Sequence, residues 1–212
     1  MSMPTLLLMI GLLYALLVGL LAFLRHESLS AQFAIESIVI TVIFSGLAAW
    51  SSFVIHPVLF LVILYLVTMR VRLLVDLGNS FARRSKFDTA EKIYAFISRL
   101  YPDQAGRLIV EINQGTLSLQ KGRTDEAIRV FKDVLESGSQ GHLGAKYEAA
   151  AHYNLGQAYR RKDMETQAIA EFNAVLETWP ASEYARRARS ILAHSRHNIK
   201  PTDENEDTVD KT

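Results

Sequence analysis

The sequence predicts an all-α chain, and three observations carry that prediction. Apolar and small residues in the back two-thirds fall in pairs four apart, the spacing that puts side chains on one face of a helix. The front third consists of long apolar runs of a length that suits membrane helices. No stretch reads convincingly as a strand. The expected architecture is therefore a set of N-terminal transmembrane helices followed by a stack of helical hairpins.

Charge divides the 212 residues sharply. Of 23 Lys and Arg only Arg25 precedes residue 70, and of 22 Asp and Glu only Glu27 and Glu36 do, which leaves 22 against 20 and a formal charge of +2 for the remainder. The front third reads as a membrane module and the rest as a water-exposed one, within the one or two domains such a length allows. A concentrated basic stripe suited to nucleic acid is missing, so no nucleic-acid partner is expected. The chain has no cysteine, which excludes disulfides and thiolate chemistry.

Taken in order, residues 4–24 form 21 uncharged positions, enough to cross a hydrocarbon core of about 30 Å at about 1.5 Å per residue. The leader carries no Lys or Arg, so an uncleaved membrane helix is expected rather than a secretory signal. Arg25, His26 and Glu27 make a polar break. Residues 33–69 are almost wholly apolar and, as one helix, would extend about 55 Å, so two further spans are expected at 34–53 and 57–74. The chain would reverse between Ser51 and Pro57, with Pro57 in the first turn of the third helix and His56 as polar punctuation. Glu36 sits near the end of its span, where it can reach the head groups. The third span runs through Arg70 and Arg72 to Gly78 without a break, which predicts one long helix leaving the membrane. The distribution of Arg25, Arg70 and Arg72 places the amino terminus outside and the region beyond residue 70 in the cytoplasm, as an integral protein of a bacterial plasma (inner) membrane.

The organising stretch is 149–180: His152, then Leu155-Gly156-x-x-Tyr159, then Ala168, Phe172 and Pro180. The same template falls on Leu77-Gly78-x-x-Phe81, Ala90, Tyr94 and Pro102, and again on Gly115, Ala127 and Phe131 with Gly122 at the turn. Gly78, Gly115 and Gly156 are separated by 37 and 41 residues, and so are Ala90, Ala127 and Ala168. These residues resemble the tetratricopeptide repeat, whose period is about 34, with small insertions between repeats. The pattern departs at the fourth position (Leu74, Glu111, His152) and in the middle repeat, which has Gln114 and Ser118 where Leu and Tyr are usual. The resemblance implies repeats over 71–104, 108–141 and 149–182, small residues where paired helices approach, and a binding surface for protein partners. After Pro180, Ser182 reads as the cap of a further helix over 182–196. Tyr184, Ala185, Ala188, Ile191 and Leu192 would cover the last repeat, with Arg186, Arg187 and Arg189 in water. Residues 197–212 turn polar and acidic and read as a disordered tail.

Catalytic signatures are missing. Neither a His-x-x-x-His pair bracketing a carboxylate nor a glycine-rich phosphate loop occurs. Ser45-Gly46 lacks the paired histidine of a membrane protease and suits helix packing. An enzyme, a cofactor, a metal and a small-molecule substrate are not expected. By resemblance, the first helix of each repeat lines a groove at its second, fifth, ninth, twelfth and thirteenth positions. These are Arg72, Val75, Asn79, Ala82 and Arg83; then Ile109, Ile112, Thr116, Leu119 and Gln120; then Ala150, Tyr153, Gln157, Arg160 and Arg161. The groove would be basic at both ends and apolar between, with Ile109, Ile112, Leu119 and Tyr153 as its exposed apolar contacts. The expectation is a membrane-anchored scaffold or assembly factor that binds protein segments at the cytoplasmic surface. The alternative is a permanent subunit of a larger membrane complex.

Overall fold

The computed structural model describes residues 2–24, 31–51, 55–139 and 143–199. They form ten helices and no strand. The helices are α1 (Met3–Leu24), α2 (Ala31–Trp50), α3 (Pro57–Thr68), α4 (Arg70–Arg83) and α5 (Phe87–Ser98), followed by α6 (Gln104–Gln120), α7 (Thr124–Gly138), α8 (Ala145–Arg160), α9 (Glu165–Thr178) and α10 (Glu183–Ile199). The break around Arg25 and the acidic stretch beyond residue 199 lie outside the described residues. Residues 197–199, assigned to the tail from sequence, continue α10.

The first three helices pack on each other around Leu7, Tyr14, Phe33, Phe60 and Leu64. Gly11 lets α1 and α2 approach closely: a Cβ there would lie 2.1 Å from Thr41 Oγ1. Hydroxyls that would otherwise be stranded among apolar groups bond within the bundle. Ser37 and Thr41 each donate one turn back at 2.7 Å, and Ser45 Oγ donates to the Pro4 carbonyl at 2.8 Å. Outward, α1 shows Leu8, Leu12, Leu16 and Leu20, and α2 shows Ile35, Ile38, Val39 and Val42. An apolar exterior around a hydroxyl-bonded interior is what lipid favours.

Two helices, Met3–Leu24 and Gln32–Trp50, are long and apolar enough to cross a membrane. The third span expected at 57–74 is not one straight helix but a bent pair, α3 and α4, and counts as a span only if the two cross together. α3 has 12 residues, a rise of about 18 Å against a core of about 30 Å. The long helix expected from sequence bends by 68° between α3 and α4. The bend has local causes. Thr68 Oγ1 donates to the Leu64 carbonyl at 2.7 Å, a back-bond of the kind that bends helices. Arg70 Nη1 donates to the Val67 carbonyl at 2.8 Å, the acceptor that a straight helix would offer to the amide of residue 71. Its guanidinium also grips Glu36 at 2.5 and 2.7 Å, and so ties the start of α4 to the start of α2. The apolar run therefore does not specify a straight helix, because Arg70 finds its carboxylate to one side. Glu36, read from sequence as reaching for head groups, is spent on that pair. His56 and Pro57 are both used at the start of α3: Pro57 is its first residue and His56 Nδ1 accepts from the Val58 amide at 3.3 Å.

Beyond the bend, α4 packs on α5, α6 on α7 and α8 on α9, each pair antiparallel. The three pairs share one internal geometry. Sixteen residues after each glycine stands a ring: Tyr94, Phe131 and Phe172. A Cβ placed on Gly78, Gly115 or Gly156 would fall 2.5, 2.9 and 2.8 Å from those rings. Ala90, Ala127 and Ala168, twelve residues after the glycines, are fully buried, as are Ile97, Val134 and Val175 seven residues further on. Seven residues after each glycine the backbone turns left-handed, at Ser85 (φ 58°), Gly122 (φ 80°) and Asp163 (φ 56°). Only the middle turn uses glycine, which adopts that φ without steric cost. The middle pair also resolves its odd position: Ser118, where the other two hairpins have Phe81 and Tyr159, donates to Glu126 at 3.1 Å.

Successive hairpins are tied by charge at matching positions. Lys121 reaches Asp88 at 3.2 Å and Glu91 at 2.7 Å, and Lys162 reaches Asp125 at 2.5 Å. The last hairpin is covered by α10, whose Ala185, Ala188 and Leu192 join its core. Ser182 Oγ accepts from the Ala185 amide at 2.9 Å and starts that helix.

Candidate binding groove

The first helices of the three hairpins line one open cavity of about 720 Å³, which is also bordered by α10 and by the C-terminal part of α1 and the N-terminal part of α2. The cavity takes in six of the ten residues predicted as chief groove contacts and leaves out four. Arg72, Asn79, Arg83, Ile109, Ile112 and Tyr153 line the cavity, whereas Leu119, Gln157, Arg160 and Arg161 do not.

Leu119 is corrected: it is 5% exposed and belongs to the core. It follows Gly115 by one turn, so it shares the face that presses on Phe131. Ile112 borders the cavity yet is 4% exposed, which leaves little of it for a partner to touch. Arg161 follows the last turn of α8 and donates to the Leu119 carbonyl of the preceding hairpin instead of entering the groove. Arg160 is exposed and does not line the cavity. Gln157 donates from Nε2 to the Tyr153 hydroxyl at 2.9 Å. Tyr153 itself is half-buried, its ring 5.8 Å from Phe172 and 5.5 Å from Tyr184. Such tilted pairs hold the ring in place and present one edge of it. Asn79 accepts from the Tyr94 hydroxyl at 2.7 Å. Burial, with Arg83 opposing it, pushes the Tyr94 phenol up to about 12, so the hydroxyl stays a donor across the physiological range.

The groove floor is more polar than the sequence suggested. Asn113 and Asn154, each one turn beyond a position already assigned to the groove (Ile109 and Ala150), sit there with Thr116. Asn154 Nδ2 donates to Thr116 Oγ1 at 3.2 Å, which bridges the second and third hairpins. The i to i+4 relation was the signal that could have found both asparagines. The charged ends persist with different owners. Arg70, Arg72 and Arg83 hold one end, while Lys146 and Arg187, rather than Arg160 and Arg161, hold the other. Arg187, expected in water, lines the groove and donates to Glu183 at 3.0 Å. Against these five cations stand Glu36, Asp76 and Asp103, a net of +2 along the lining (5 − 3). Among the described residues no group of three or more His, Cys, Asp or Glu gathers as metal ligands.

Helix pairs with a small residue against a ring and a left-handed turn, repeated three times, define a helical-repeat architecture. The family model for the tetratricopeptide repeat matches residues 112–183, which spans the second and third hairpins. Residues 112–183 of the chain thus carry tetratricopeptide repeats. No curated protein matches it. Repeats of this kind serve protein–protein interaction and are typically non-enzymatic.

Proposed function

We propose that the chain is a membrane-anchored scaffold whose three hairpins form a short solenoid and present their groove to a protein segment at the cytoplasmic face. One observation carries the reading: three first helices and α10 converge on a single cavity with cations at both ends and a row of amides and hydroxyls between them. Amides and hydroxyls at fixed positions pair with peptide groups, and the cations favour a segment with acidic residues near its ends. Charges at the rim mainly aid encounter, each contributing about 0–1 kcal/mol when exposed. The lasting contact falls to Tyr153, Ile109 and the Asn113–Thr116–Asn154 row. The anchor comprises α1 and α2, with α3 completing a third crossing together with the bent start of α4. The domain division at about residue 70, and Asn79 and Arg83 as partner contacts, belong to this same reading.

Quantitative recovery from native membranes tests it. A bound protein should be retained by the wild-type chain and by Arg160→Glu, which lies outside the groove, and lost with Asn113→Ala plus Tyr153→Ala. Equal recovery by all three would refute the groove.

A second reading, a permanent subunit of a larger membrane complex, is favoured by the withdrawal of Leu119 and Ile112 into the core, which leaves fewer apolar groove contacts than a stand-alone binding site would use. Extraction in mild detergent and sizing separates the two. Stoichiometric co-migration with other membrane proteins marks the subunit, and partner exchange marks the scaffold.

A further inference from the structure

The cavity does not end at the hairpins. Val18 and Ala22 of α1 and Phe33 of α2 line the same space as Asn113, Thr116 and Tyr153. Val18 precedes the end of α1 at Leu24 by six residues, about 9 Å along the helix, so this end lies at the depth of the acyl chains if α1 spans. On the bundle side Val18, Ala22, Phe33 and Met69 stand beside Gln32, Thr68 and the Glu36–Arg70 pair, and on the hairpin side the lining holds Arg72, the amides and hydroxyls of α6 and α8 with Ile109, and Lys146 and Arg187.

Three kinds of occupant can be compared against that lining. A soluble peptide that filled the groove would have to set a hydrated end against Val18, Ala22 and Phe33, at a desolvation cost. A phospholipid would match the apolar end and the arginines, and would leave the row from Asn113 to Asn154 unfilled. A chain that leaves the bilayer and continues as an extended acidic segment matches both sides: apolar side chains at the bilayer end, peptide groups along the amides, carboxylates against the excess of two positive charges. We infer that the groove takes the juxtamembrane segment of a membrane-inserted partner, which enters from the bilayer side. The inference rests on the interaction-groove reading above and names its class of partner.

The test uses the full chain in nanodiscs with designed probes. The first probe is a single Leu/Ala span followed at once by the extended segment Glu-Ile-Ser-Glu-Leu-Ser-Asp-Glu. The second has a 20-residue Gly/Ser linker between the two parts, and the third is the acidic segment alone. The first should bind at least tenfold tighter than the second, although both are confined to the same membrane, because only the first presents its apolar and acidic parts in the groove's order. A photo-crosslinker replacing Ala22, which lines the cavity and is only partly buried, should capture the probe's span boundary, and one replacing Tyr147 should capture its acidic segment. Equal affinity of the first two probes, or capture only of lipid at position 22 while probe is captured at 147, overturns the inference and leaves the scaffold reading intact. Failure of all three probes, the soluble one included, overturns both. In anionic vesicles without probe, lipid captured at position 147 would assign the groove to lipid and overturn the inference as well.

Discussion

Ala168→Leu tests the packing on which the groove depends. Ala168 is fully buried one turn before Phe172, whose ring lies over Gly156, so the site is closed by α8 on one side and by that ring on the other. Leu adds three carbons. Its helix propensity is close to that of Ala, so the backbone contributes little either way. Inserting extra methylenes into a filled site costs about 1–3 kcal/mol through strained rotamers and shifted backbone. Ala170, two residues on in the same helix, is exposed, and Ala170→Leu should change stability by no more than about 0.5 kcal/mol. The comparison removes composition and propensity as explanations, since both variants carry the same new side chain on α9. Trp179 closes α9 and packs on the core, whereas Trp50 is 93% exposed. In a Trp50→Phe background Trp179 fluorescence therefore reports unfolding of the third hairpin. At about 2–4 °C per kcal/mol for a chain of this size, Ala168→Leu should lower the melting temperature by about 2–12 °C. Ala90→Leu should act alike in the first hairpin, which the family match does not reach. If Ala168→Leu and Ala170→Leu melt together, the small-against-ring packing does not hold the hairpins as described.

Three further outcomes follow from particular contacts. Glu36→Ala and Arg70→Ala each leave a partly buried charge unpaired, so each should cost about 1–3 kcal/mol; a double-mutant cycle should show strong coupling, and additive losses would mean that the pair does not hold the bend. Burial raises the Glu111 carboxyl above its ordinary range, with Arg107 opposing and Asp133 adding to the rise. The native state then holds a proton that the unfolded state releases, so Glu111 weakens the fold as pH climbs above about 4.5. Glu111→Gln should thus raise the melting temperature at pH 7 and lose that advantage at pH 4, and a gain that is independent of pH would refute the assignment. Ser182→Ala removes the cap of α10 and should cost about 0.5–2 kcal/mol, with fraying of α10 seen first as faster amide exchange at residues 183–186; unchanged exchange there would count against the cap.

The local chemistry of this fold was open to reading because it depends on neighbours in the chain. Gly78, Gly115 and Gly156 announce close approaches, and Ala90, Ala127 and Ala168 mark the facing positions, since helical spacing alone decides which residues share a face. Ser182 and Pro57 likewise act within a turn of themselves. The groove was half legible. Arg72, Asn79, Ile109 and Tyr153 lie where helical register puts them, while Leu119 sits one turn from Gly115 and follows it into the core.

What only the tertiary structure decided are the relations between residues far apart in sequence. Arg70 meets Glu36 across 34 positions and turns an unbroken apolar run into a 68° bend. Arg161 turns to the Leu119 carbonyl of the neighbouring hairpin, and Arg187 of α10 lines the groove instead. Val18 and Phe33, read from sequence as ordinary membrane residues, line the same cavity as Tyr153. A sequence specifies which face of a helix is apolar, but the partner of a long charged side chain, and the direction of a helix beyond a bend, depend on which distant groups folding brings within reach.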